Sequence, residues 1–95
     1  MKVFILCERI RDREGLHELL QKTLDFPPYY GKNLDALFDC LTDITKPTHV
    51  VLCEFYELHR NLGEYALDFL GVFEKAAEEN LRFTYEFARK DCLLI

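Results

Sequence analysis

Apolar residues along this chain follow three different patterns, and each predicts a different kind of element. Residues 3–7 (Val3, Phe4, Ile5, Leu6, Cys7) form an unbroken apolar run with β-branched and aromatic members, as expected for a strand buried on both faces. Residues 49–55 repeat this pattern around Val50, Val51, Leu52 and Cys53, with Lys46-Pro47-Thr48 marking the entry. Between the two runs the period changes. Asp12 is placed to cap a helix whose inner face is Leu16, Leu19, Leu20 and Leu24, spaced for 3.6 residues per turn. Pro27 and Pro28 should stop it, because the residue before a proline is pushed out of the helical region.

After the connection Tyr29-Tyr30-Gly31-Lys32, where Gly31 is free to make a turn, Asn33 is a good cap for a second helix reaching about Asp43. Beyond the second strand, Leu62, Tyr65, Ala66, Phe69, Leu70, Phe73, Ala76 and Ala77 share one helical stripe, and Asn80 reads as a left-handed stop. Residues 82–87 then alternate: Phe83, Tyr85 and Phe87 face one way, Arg82, Thr84 and Glu86 the other. That is the pattern of an outer strand with one face partly wet.

The order is thus strand, two helices, strand, one long or broken helix, strand. Each strand-to-strand connection is helical and long enough for a parallel crossover, and such crossovers are right-handed in nearly all proteins. With every helix on one face they must step in one direction. The fold class is therefore α/β, two-layered, with a three-stranded parallel sheet in order 1-2-3. The 95 residues fit a single domain, with 88–95 as a C-terminal extension.

Composition narrows the function classes. Twelve basic residues against 17 acidic ones give a net charge of −5, a field that opposes nucleic acid and anionic membranes and favours a basic partner. No segment has the length of a transmembrane helix, and the run before Glu8-Arg9 is too short for a signal sequence. Cys7, Cys40, Cys53 and Cys92 form no CxxC pair, so no zinc or thioredoxin motif is supported. These features predict a reduced, cytoplasmic, monomeric protein without cofactor or metal.

The second helix stands apart. With Leu34 at zero and about 100° per residue, Cys40, Leu37, Leu41, Leu34 and Phe38 cover one side, and Asp35, Asp39, Thr42 and Asp43 the other. A solvated acidic face is the ordinary interpretation. Yet Asp35 and Asp39 are like charges four residues apart, costing roughly 0.2–0.5 kcal/mol. Asp39 and Asp43 also lie toward the negative end of the helix dipole. No basic residue between Asn33 and Asp43 offsets them. A local rule broken without compensation marks a candidate functional surface. The tyrosines just ahead are interface-type residues, although such rings also pack on helix layers.

The string PPYYGKNLDALFDCLT at 27–42 resembles the signature of the barstar family of ribonuclease inhibitors. The likeness continues through Leu16-His17, both apolar strands, the last helix and the last strand. It implies the same sheet and an intracellular inhibitor of a secreted, basic microbial ribonuclease. In that mode the second helix enters the enzyme's active site, its carboxylates standing in for substrate phosphates. Asp39 would take the central phosphate position, Asp35 would meet an arginine, and Tyr29 would cover the catalytic histidine. Asn33, Leu34 and Thr42 would add contacts, and Glu79 matches a further acidic position. Phe38 replaces the family's usual tryptophan, Asp43 its usual glycine, and Lys75 an acidic contact residue.

Two other classes compete. An enzyme would need a site built from His17, His49, His59 and the cysteines, but no ligand spacing, nucleophile elbow or phosphate-binding glycine loop accompanies them. A barstar-like module for a basic partner other than a ribonuclease is the second, since a scaffold does not dictate its partner; Lys75 is the residue that favours it.

Overall fold

The computed structural model describes residues 1–89, so 90–95 of the supposed C-terminal extension, Cys92 included, lie outside the described residues. Strands β1 (Lys2–Leu6), β2 (Thr48–Cys53) and β3 (Phe83–Ala88) form one parallel sheet in the order β1-β2-β3. The expected topology is the one found, and Ala88 belongs to the last strand. The helices are α1 (Arg13–Thr23), α2 (Leu34–Thr42), α3 (Phe55–Leu62) and α4 (Glu64–Glu79). A 3-10 turn at Cys7–Arg9 ends β1 one residue earlier than its apolar run suggests.

The register aligns Ile5 with Leu52 and Val50 with Tyr85, and Ile5, Val50, Leu52 and Phe83 join the core with Leu16, Leu20, Leu37, Leu41, Phe69 and Phe73. The helices therefore cover this face. On the opposite face Phe4, Thr84 and Glu86 are exposed, whereas Val51 and Cys53 of the central strand are buried. Phe73 meets Phe69 at 4.6 Å and Phe83 edge-on at 5.0 Å, adding about 0.5–1.5 kcal/mol per pair beyond the area buried.

Four local expectations are corrected. Helix α1 stops before the prolines: Asp25 is left-handed at φ 56° and Phe26 N–H donates to the Gln21 carbonyl at 3.0 Å, a Schellman closure. In the next loop Lys32, not Gly31, is left-handed, at φ 54°. A Cβ on Gly31 would instead stand 3.3 Å from that of Ala36, so this glycine serves close approach. Phe55, expected in the second strand, begins α3; of the two forms left open for the long stripe the broken one is found, with the break at Gly63 (φ 61°, ψ −134°). Asn80 is extended, at φ −132° and ψ 103°, rather than left-handed.

Candidate functional site

Helix α2 is closed at its start by Asn33, whose side-chain oxygen accepts from Ala36 N–H at 2.8 Å while its amide donates to the Gly31 carbonyl at 3.3 Å. The Asn33 amide is thus engaged in shaping the loop. Leu37 and Leu41 are buried beneath the helix; Leu34, Phe38 and Thr42 are half-buried along its flank; Asp35, Asp39 and Asp43 are exposed. Asp43 sits at φ −87°, so glycine's conformational freedom is not needed there. Among the described residues, none of these three carboxylates makes an ion pair. Lys32, the nearest cation in sequence, lies 3.9 Å from Glu18 instead.

The two tyrosines divide the roles their sequence left open. Tyr29 is 85% exposed and Tyr30 only 6%. Tyr30 is held by His17, whose Nδ1 is 2.6 Å from the Tyr30 hydroxyl and whose Nε2 is 2.7 Å from the Tyr65 hydroxyl. Burial lowers the His17 pKa from its ordinary 6.5, favouring a neutral ring. One tyrosine then accepts from the ring N–H and the other donates to the bare nitrogen. Arg13 lies 4.3 Å over the Tyr65 ring, so the relay connects α1, the tyrosine loop and α4. Sequence reasoning missed it. The available signal was position: His17 is three residues before Leu20 and seven before Leu24, on the stripe that faces the core.

The carboxyl end of α2 is held from another element. Asn80, just after α4, donates its side-chain NH2 toward the carbonyls of Leu41, Thr42 and Ile44 at 3.0, 3.4 and 3.0 Å. These carbonyls lie where a helix leaves acceptors unsatisfied. Asn80 also ties this end to the last turn of α4, where Glu79 is exposed. The Thr42 hydroxyl donates back to the Phe38 carbonyl at 2.9 Å, which leaves its oxygen lone pairs for an outside donor.

Between α2 and α4 runs an open groove of about 580 Å³. Leu34, Asp35, Phe38 and Asp39 line it from α2; Leu67, Asp68, Gly71, Val72 and Lys75 line it from α4. Lys75 shares the groove with Asp35 and Asp39 but makes no ion pair with any described residue. Leu67 is 50% exposed, an apolar element of this face that sequence inspection did not single out.

Groups with catalytic potential lie elsewhere. His49 sits on the open sheet face, 2.7 Å from Thr84 Oγ1 and 2.5 Å from Glu86 Oε2, and His59 is exposed on α3. Cys7 is buried, and that burial raises its thiol to about 12, which keeps it protonated and a poor nucleophile. Among the described residues no group of three or more His, Cys, Asp or Glu side chains is placed to hold a metal ion, and no helix is long and apolar enough to cross a membrane.

Comparison with known proteins places the chain as a whole in a family. The family model described as Barstar (barnase inhibitor) matches residues 1–90. The chain is also 46% identical over 79 residues to a Bacillus subtilis (strain 168) protein named "Putative ribonuclease inhibitor YrdF", covering 82% of this chain and 87% of that protein.

Proposed function

Because this chain belongs to the barstar family, we propose that it is a non-catalytic, intracellular inhibitor that plugs the active site of a secreted, basic microbial ribonuclease with α2. The observation that carries this reading is the row of exposed carboxylates Asp35, Asp39 and Asp43, none in an ion pair among the described residues, headed by the outward-facing Tyr29. A ribonuclease must concentrate positive charge to hold phosphate, and an acidic, pre-formed helix presents the complementary charge. Asp39, midway along the helix, takes the phosphate position, with Asp35 beside it and Tyr29 stacking on the enzyme's catalytic histidine. Asn33 and Leu34 meet the partner at the loop edge, Phe38 through the groove, and Thr42, Asp43 and Glu79 at the far end. The protein acts as a monomer, one domain spanning 1–95, in the cytoplasm and without a cofactor.

Barnase, the enzyme in the family description, is the first probe. The chain should inhibit it in competition with a single-stranded oligonucleotide, associating faster at low salt. Asp39→Ala should weaken inhibition by about 2–5 kcal/mol, the usual effect of truncating one partner of a buried charge pair, a range drawn partly from this family's own complexes. Unchanged inhibition by folded Asp39→Ala protein would overturn the assignment. Lys75 favours one other reading, a module for a basic partner that is not a ribonuclease. Binding that oligonucleotide does not compete away would identify that case.

A further inference from the structure

Strand β1 is an edge of the sheet. Its amino end is tied to β2: the Met1 ammonium donates to the Pro47 carbonyl at 2.7 Å, and the Met1 carbonyl accepts from His49 N–H at 2.8 Å. Backbone groups turn to opposite sides at successive residues of a strand. Met1, Val3 and Ile5 are therefore directed to β2, whereas Lys2, Phe4 and Leu6 present their N–H and C=O groups outward. Such edges are commonly blunted by proline, a bulge or lysine. β1 has no proline, and its register with β2 runs unbroken from Lys2 to Leu6. Its one lysine, Lys2, lies over its neighbour, with Nζ 5.7 Å from the centre of the Phe4 ring.

A groove of about 450 Å³ runs along this edge between β1 and α1. Phe4, Ile10 and Leu19 contribute apolar lining, and Arg9, Glu18 and Lys22 are its charged groups. Phe4 is 45% exposed. The Glu18 carboxylate lies 3.9 Å from Lys32, whereas Arg9 and Lys22 make no ion pair with any described residue. The groove thus carries a surplus of positive charge, and it shares no lining residue with the α2–α4 groove.

We infer that this edge takes up an extended segment of a second partner protein as a fourth strand beside β1, with apolar side chains of the segment against Phe4 and Leu19 and a carboxylate facing Arg9 and Lys22. In strand addition, main-chain bonds supply affinity and flanking pockets supply specificity. Here Phe4 and Leu6 offer the main-chain groups, and the two cations select the segment by charge. The chain's net charge of −5 opposes a long acidic tract, which limits the segment to one or two carboxylates among apolar residues. The inference does not depend on what binds α2.

The probes are peptides of about ten residues, selected from a random display library on the full-length chain. Enriched peptides should alternate apolar and polar residues and include Asp or Glu. The tightest should bind Arg9→Glu and Lys22→Glu about tenfold or more weakly than wild type; both side chains are exposed and outside the core, and urea midpoints check that the variants are folded. Methylating the peptide's backbone nitrogens one at a time should abolish binding at every second residue only, because alternate N–H groups face β1. Asp39→Ala should bind the peptides as wild type does. The inference is overturned if no peptide is enriched over selection on an unrelated protein, or if wild type and both charge-reversed variants bind alike. It is equally overturned if methylation shows no period of two, or if Asp39→Ala loses the peptides. None of these results bears on barnase inhibition through α2, which is measured separately.

Discussion

Replacing Asn80 with alanine takes one NH2 group away from three backbone carbonyls, those of Leu41, Thr42 and Ile44. Two protons serve three acceptors, so the contacts at 3.0 Å carry most of the interaction and the one at 3.4 Å is a shared, weaker bond. At about 0.5–1.5 kcal/mol net for each neutral bond, the loss comes to roughly 1–3 kcal/mol. Alanine adds no backbone strain, because φ −132° and ψ 103° are open to any residue. For a domain this size each kcal/mol moves the Tm by about 4–8 °C, so the midpoint should fall roughly 4–24 °C. Urea unfolding followed by circular dichroism measures the change, with an unaltered m-value showing that stability alone has shifted. Asn80→Asp is the sharper variant. Aspartate keeps the oxygen that accepts from Arg82 N–H at 3.1 Å, but turns a second oxygen toward the three carbonyls. It should be less stable than alanine at neutral pH. If Asn80→Asp matches wild type, Asn80 is merely a turn residue and the proposed hold on α2 is wrong.

Three further expectations follow from the same geometry. Tyr29→Ala should leave the urea midpoint unchanged and weaken binding to barnase. Tyr30→Phe should cost about 1–3 kcal/mol of stability, because a buried ring nitrogen of His17 loses its partner; equal midpoints for the two variants would contradict the division of roles. His17 is held neutral in the fold by burial, so its contribution is complete above the ordinary imidazole value of 6.5 and is lost as pH falls below it, where the unfolded chain takes up the proton. Wild type should therefore lose more stability than His17→Gln between pH 7.5 and about 5, and parallel pH curves would refute this. Gly63→Ala should destabilise by about 1–3 kcal/mol through backbone strain alone, since φ 61° with ψ −134° is closed to alanine and a Cβ there meets no atom within 4 Å. A stability equal to wild type would show that the helix break does not need glycine.

What was legible in the sequence is what short-range physics encodes. The apolar runs of β1 and β2, the alternation of β3 and the caps Asp12 and Asn33 each announce themselves within a few residues. The parallel order followed from helical crossovers of fixed hand. The acidic face of α2 was visible as an uncompensated breach of helix electrostatics. The positions that escaped depend on neighbours distant in sequence or on tolerance of strain. Asp25, Lys32 and Glu54 adopt positive φ without glycine, against the local preference that pointed to Gly31 and Asn80.

Residue type alone marked Tyr29 and Tyr30 as equals. His17, thirteen residues away from Tyr30, turns one inward and leaves the other free. Likewise the groove that brings Lys75 and Gly71 beside Phe38 exists only because α2 packs on α4. Sequence by itself determined that this protein carries an acidic helix; the packing of that helix decided which of its side chains stay exposed, because the burial of its inner face ties it to elements that no local pattern names.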